Sequence, residues 1–100
     1  MFGKYILEGK TPKLTNDALE WARWFETADR IVAKTKVGKL EVSTVFLGLD
    51  HSFGKSVPLL FETMIFGSKG EYQERYATWD EAEKGHKIAV ELAKVKEIKE

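Results

Sequence analysis

The chain has 100 residues, 43% of them hydrophobic and 12% aromatic, with 16 basic and 16 acidic side chains. This length fits one α+β domain over residues 1–100, and the zero net charge argues against a nucleic-acid partner. Without cysteine there are no disulfides or thiolate metal sites. No apolar run approaches the roughly 20 residues that span a bilayer, and the N-terminal one is too short for a signal peptide. We therefore expect a cytoplasmic protein with no membrane partner.

The first half of the chain predicts a short strand followed by a long helix. Residues 5–7 are apolar, and the Gly, Lys, Thr and Pro of 9–12 favour a turn. Asn16 is placed to cap a helix over 17–35, with Gly38 as its stop. The helical stripe at three- and four-residue steps consists of Ala18, Trp21, Ala22, Phe25, Ala28 and Val32.

The second half predicts a hairpin, a third strand and a second helix. Residues 40–49 and 59–66 are rich in β-branched and aromatic side chains, and the loop over 50–56 separates them, so they should pair antiparallel. Residues 72–77 predict another strand. Thr78 and Glu81 match a capping box, after which a helix begins, and the charged tail over 94–100 should fray.

This order, β-α-β-β-β-α, predicts an α+β fold. The simplest arrangement is one antiparallel sheet of three to four strands with two helices on one face.

Several segments resemble a family of small phage and prophage proteins. They are VSTVFLGLDH at 42–51, PLLFETM at 58–64 with Phe66-Gly67, RYATWDEA at 75–82 and Gly85-His86. Leu19-Glu20-Trp21 and Trp24-Phe25-Glu26 also fit. The resemblance implies an accessory protein that works in the bacterial host cytoplasm. It supplies no catalytic residue, cofactor or metal.

The predicted hairpin is apolar on both faces. Strand residues alternate between faces, and a sheet with one wet face should be polar at every second position. Here both alternating sets are largely apolar, Leu59, Phe61 and Ile65 against Leu60, Met64 and Phe66. Either loops or the N-terminal strand cover the second face, or the protein is a homo-oligomer, dimeric or higher, joined sheet to sheet or edge to edge. We expect the oligomer.

Two histidines are candidates for acid–base or metal chemistry. His51 follows Asp50 at the end of a strand, where Asp50 or Glu62 could orient it as a general base; an Asp-led turn is the favoured alternative. His86 lies on the second helix, where a packed, hydrogen-bonded histidine is the commoner case. These four residues show no metal-ligand spacing, so we expect no metal.

Glu62 is the most informative charged residue of the hairpin. It lies mid-strand between Leu60 and Met64, and a buried carboxylate there needs a partner. Arg75 on the next predicted strand is the natural one. The pair is either a structural ion pair or a polar anchor within a pocket or interface.

Together these observations favour a binding protein over an enzyme. The candidate partners are a host protein, such as a defence protein to be countered, or a small signalling molecule to be sequestered. The alternatives are a small enzyme with an acid–base or metal site around Asp50, His51, Glu62 and His86, and a minor virion component. The candidate binding residues are Asp50, His51, Phe53, Glu62, Arg75, Tyr76, Trp79 and His86.

Overall fold

The computed structural model describes residues 3–54 and 57–99, so Lys55 and Ser56 of the predicted loop and Glu100 of the predicted tail lie outside the described residues. The fold is α+β with two helices and antiparallel sheets, as predicted. The elements are β1 (Lys4–Glu8), β2 (Thr11–Thr15), α1 (Ala18–Thr27), β3 (Ile31–Val37), β4 (Leu40–Phe46), β5 (Phe61–Phe66), β6 (Gln73–Tyr76) and α2 (Trp79–Lys99).

Four strands form the main antiparallel sheet in the order β3-β4-β5-β6. β4 and β5 pair with Val45 opposite Glu62. β6 continues the sheet on the other side of β5, with Arg75 opposite Glu62. The predicted hairpin and the predicted third strand are therefore confirmed.

β1 and β2 form a separate two-stranded hairpin. The sequence predicted a turn at Pro12 and no strand after it, but Pro12 lies within β2, opposite Leu7. Both strands of a two-stranded sheet are edge strands, where a missing N–H breaks no necessary hydrogen bond. The order is therefore β-β-α-β-β-β-β-α rather than β-α-β-β-β-α.

The predicted helix over 17–35 is wrong in its second half. α1 ends at Thr27, and its N-cap is Asp17 rather than Asn16, since the Asp17 carboxylate accepts the N–H groups of Leu19 and Glu20 at 3.0 and 3.1 Å. The chain then resumes as β3. The Asp29 carboxylate accepts the Ile31 N–H at 3.0 Å where that strand begins.

β-branched side chains explain why residues 31–37 form a strand. Ile31, Val32, Thr35 and Val37 fit a pleated surface better than a helix. Gly38, expected to stop a helix, instead has a φ of +59° in the two-residue connection between paired Val37 and Leu40, where such a turn needs positive φ.

α2 begins as predicted and runs further than predicted. The Thr78 hydroxyl accepts the Glu81 N–H and donates to the Glu81 carboxylate, each at 3.1 Å. The helix continues to Lys99, so residues 94–99 are helical, and the fraying of these last turns stays a prediction. Lys96 and Lys99 suit the negative end of the helix dipole, and the Glu97 side chain lies over Gly38.

α2 packs closely against the sheet because its inner side is made of small residues. Its buried side chains recur at three- and four-residue steps. At Gly85 the ring of Tyr76 occupies the space that a β-carbon would need. The buried helix residues are Ala82, Gly85, His86, Ala89 and Ala93.

Two clusters of apolar side chains make the core on the α2 side of the sheet. One joins Leu40, Val42 and Ile65 to Ala89 and Ala93. The other joins Phe46, Leu60 and Phe61 to Ala82, and against it pack Tyr5, Leu7 and Trp24 of the N-terminal unit, which comprises β1, β2 and α1. Both helices therefore pack on the same side. We call the opposite side of the four-stranded sheet the open face.

Candidate functional site

The structure does not bring the four candidate acid–base residues together. Glu62 lies on the open face, opposite Val45 and Arg75. His86 lies on the other side, buried between α2 and the sheet. Asp50 and His51 follow the end of β4, where the chain leaves the sheet. The common pocket that the alternative of a small enzyme requires is therefore not formed by these four residues.

Asp50 holds the loop that follows β4. Its carboxylate accepts the N–H groups of Ser52 at 2.7 Å and Leu59 at 3.0 Å, which joins the two ends of the loop. Burial alone would raise the pKa of Asp50, but these hydrogen bonds and the nearby His51 lower it overall. The favoured sequence interpretation was an Asp-led turn, and this geometry has that form.

His51 and Phe53 lie in the same loop. The His51 N–H donates to the Leu59 carbonyl at 3.0 Å, continuing the β4–β5 pairing beyond the strands. Phe53 has a φ of +57° and is largely exposed. A non-glycine residue with positive φ is uncommon and costs conformational energy. Phe53 therefore remains a candidate contact residue, placed by a strained turn.

His86 belongs to a buried row of polar side chains between α2 and the sheet. Its Nε2 lies 2.9 Å from the Thr35 hydroxyl and its Nδ1 lies 2.7 Å from that of Thr44. The hydroxyls of Thr44 and Thr63 are 2.5 Å apart. Burial lowers the pKa of His86, so its neutral form is favoured. This row, which we call the threonine ladder, uses both ring nitrogens, so His86 is a packed core histidine.

Tyr76 and Trp79 also face the core. Trp79 meets Phe61 edge-on at a centroid distance of 6.1 Å, and the Lys10 ammonium lies 5.7 Å from the Trp79 ring. Burial raises the pKa of Tyr76. Its hydroxyl lies close to Thr63 without a well-aligned hydrogen bond. Both residues join β6 and α2 to the second core cluster, which is a structural role.

Glu62 and Arg75 form the predicted pair on the open face. The Arg75 Nε donates to a Glu62 carboxylate oxygen at 3.0 Å, and the Gln73 amide donates to the same oxygen at 2.9 Å. The Glu62 side chain is almost completely buried. These two donors replace the water molecules that the Glu62 carboxylate loses on burial, and the bond from Arg75 is a charge-assisted hydrogen bond.

The open face surrounds this pair with apolar side chains and a basic edge. Val45 lies opposite Glu62 in the register, and Met64 lies opposite Gln73. Lys34 and Lys36 lie two residues apart on β3, so both are on the open face. Among the described residues, the large exposed apolar side chains of this face lie near its corners, at Ile31 and Phe66. The apolar surplus expected on this face is therefore small in the described part of the chain.

The apolar surface that sequence reasoning missed lies on α2. Four large side chains of this helix are exposed, at positions that follow one another by steps of four, three and three. The spacing was visible in the sequence, but it was not singled out in the sequence analysis. We call them the outer row: Ile88, Leu92, Val95 and Ile98.

No metal or membrane site emerges from the described residues. Within 3–54 and 57–99, no three histidine or carboxylate side chains cluster around a common point. Neither described helix carries an apolar stretch of the length needed to cross a bilayer. Comparison of the chain with protein-family models, curated proteins and solved structures gives no match.

Proposed function

We propose that this chain acts by binding another protein through the open face, as a self-associating accessory protein of a phage or prophage in the bacterial host cell. The phage setting is supported by the resemblance of residues 42–86. The binding role is supported above all by one observation, the Glu62 carboxylate held by Arg75 and Gln73 on the open face.

Such a pair is suited to recognition because its geometry is set before a partner arrives. The strand register places Glu62 opposite Arg75, so little side-chain entropy remains to be lost on binding. Arginine beside apolar side chains is typical of the residues that dominate binding energy. Met64 and Phe66 supply the apolar contacts here.

The charges of the open face indicate which surface chemistry a partner needs. Lys34 is only loosely paired, with its ammonium 3.8 Å from Glu41, and Lys36 lies beside it along the strand. A partner with an apolar patch bordered by carboxylates would complement this surface. A protein can supply such a patch over the width of a sheet.

A protein partner fits better than a small signalling molecule. Small-molecule sites enclose most of their ligand. The depressions at the β5–β6 turn, before α2 and beside Thr35 are clefts that open to solvent, and none of these three is an enclosed cavity. We therefore propose that a host defence protein is the partner and that binding counters its action.

The test is phage plating on a panel of bacterial strains that carry different defence systems. Expression of the wild-type chain should raise plating efficiency on at least one strain, and Phe66→Lys on the open face should abolish the gain. Leu19→Lys is the matched control, because Leu19 and Phe66 are similarly exposed, at 59% and 48%, and Leu19 lies on α1. If no strain responds, the defence role is wrong. If Phe66→Lys keeps the full gain, the open face is not the binding surface.

A further inference from the structure

The outer row of α2 is an exposed apolar stripe beside the buried face of the helix. Ile88, Leu92, Val95 and Ile98 are 66%, 36%, 47% and 85% exposed. At 100° per residue the first three lie within about 60° of one another, roughly 110° around the helix from the buried alanines. The exposed part of a surface helix is normally polar. A continuous apolar row there marks an interaction surface.

The charges at the two ends of α2 identify what can cover this row. Asp80 and Glu81 lie in the first turn, and Lys96 and Lys99 lie in the last. An antiparallel copy of the same helix would set the acidic turn of each against the basic turn of the other, and would oppose the two helix dipoles. A parallel copy would bring like charges together at both ends.

The middle of the helix does not oppose this pairing. Glu91, which borders the outer row, is already paired with Lys94 at 3.0 Å. The surface is therefore self-complementary in both charge and apolar character. An interface of this kind, in which the same patch is used twice, is the commonest arrangement in symmetric dimers.

We propose that two copies of this chain associate through the outer rows of their α2 helices, in antiparallel orientation. Heptad-like spacing places Ile88 against Leu92 of the second copy, and Glu81 beside Lys99 of the second copy. This inference deepens the proposed self-association and is independent of the protein partner proposed for the open face. It also moves the self-association surface from the sheet, where the sequence suggested it, to a helix.

Light scattering at micromolar concentration is the first test. The wild-type chain should give twice the monomer mass of 11.4 kDa. Ile88→Glu should halve that value, while Phe66→Glu on the open face should leave it unchanged. Circular dichroism of both variants should match the wild type, because both side chains are already exposed. A monomeric wild type, or a dimer broken by Phe66→Glu but not by Ile88→Glu, would overturn the proposal.

Disulfide trapping tests the orientation and does not depend on a disruptive variant. Since the chain has no cysteine, Glu81→Cys and Lys99→Cys can be made separately and mixed under mild oxidation. The antiparallel arrangement predicts that the mixed disulfide forms in excess over either self-disulfide. A dominant Lys99→Cys self-disulfide would indicate parallel helices and overturn the proposal. These readouts are separate from phage plating, so either proposal can fail alone.

Discussion

The N-terminal unit and α2 are attached to the same sheet by different means. α2 contributes five buried residues and closes the threonine ladder, whereas α1 contributes no buried residue. α1 is held instead by single contacts at the end of the sheet. The Trp21 indole donates to the Gly48 carbonyl at 3.0 Å, and Trp24 meets Phe46 edge-on at 5.7 Å.

This difference indicates two levels of stability within one fold. Helices without buried side chains open locally at lower free energy than core helices. A stacked pair, Arg30 over Phe25 at 4.0 Å, and the hydrogen bond from the Tyr5 N–H to the Gly48 carbonyl at 2.8 Å add to this attachment. We therefore expect the N-terminal unit to open before the sheet and α2 unfold.

The largest expected loss of stability distinguishes the core of the sheet and α2 from the N-terminal unit. Phe61→Ala should destabilise the whole protein by about 3–5 kcal/mol, because Phe61 is completely buried and its loss leaves a cavity. Urea denaturation measures this change. Phe25→Ala, in the N-terminal unit, should cost less and mainly speed hydrogen exchange over residues 4–27. Equal shifts of the urea midpoint would mean that the two regions unfold as one.

The second effect concerns the ion pair on the open face. In a double-mutant cycle with Glu62→Gln and Arg75→Met, the coupling energy should be about 1.5–3 kcal/mol, as for hydrogen bonds to charged groups. A solvent-exposed pair would give about 1 kcal/mol or less. Additive effects in urea denaturation would show that the two side chains do not interact energetically.

The two helix caps allow a matched comparison. Thr78→Ala should lower global stability by about 0.5–2 kcal/mol, because α2 is part of the core. Asp17→Ala removes a cap of similar strength from α1, yet it should change local hydrogen exchange in α1 more than the urea midpoint. If Thr78→Ala leaves the midpoint unchanged, α2 does not depend on this cap.

The smallest effect is the pH dependence that arises from His86 in the α2 region. Burial places the folded-state pKa of His86 below its unfolded value of 6.5. The unfolded chain therefore binds more protons as the pH falls, so stability is full above about pH 6.5 and declines below it. Free energies of unfolding at several pH values should decline less steeply in His86→Gln than in the wild type. An equally steep decline in both proteins would contradict this prediction.

Strands β4, β5 and β6 and the beginning of α2 could be predicted because their signals are local and agree. The β4–β5 pairing follows from two apolar runs, and the Glu62–Arg75 pair follows from the register that those runs imply. The Thr78 cap is likewise contained in four residues. Where several local signals point to one arrangement, the structure follows them.

The α1–β3 boundary failed because its signals conflict. Ala28 and Val32 continue the helical spacing of Trp21 and Phe25, so periodicity favours a helix where β-branching favours a strand. The long-range contacts that decide the outcome, such as the Phe46 N–H to the Arg30 carbonyl at 2.8 Å, are not visible in local sequence. The threonine ladder was missed for the same reason, since Thr35 and His86 are 51 residues apart.

The contact between Gly85 and Tyr76 fixes the position of α2 along its own axis. Any residue with a β-carbon at position 85 would displace the tyrosine ring, although glycine within a helix costs about 1 kcal/mol relative to alanine. If α2 moved along its axis by one turn, Glu81 or Ala89 would meet the Tyr76 ring. The helix can therefore pack against the sheet at only one position along its axis. A larger residue at position 85 therefore requires a smaller residue at position 76. In a library that varies both, alanine at 85 should survive only with a smaller residue at 76.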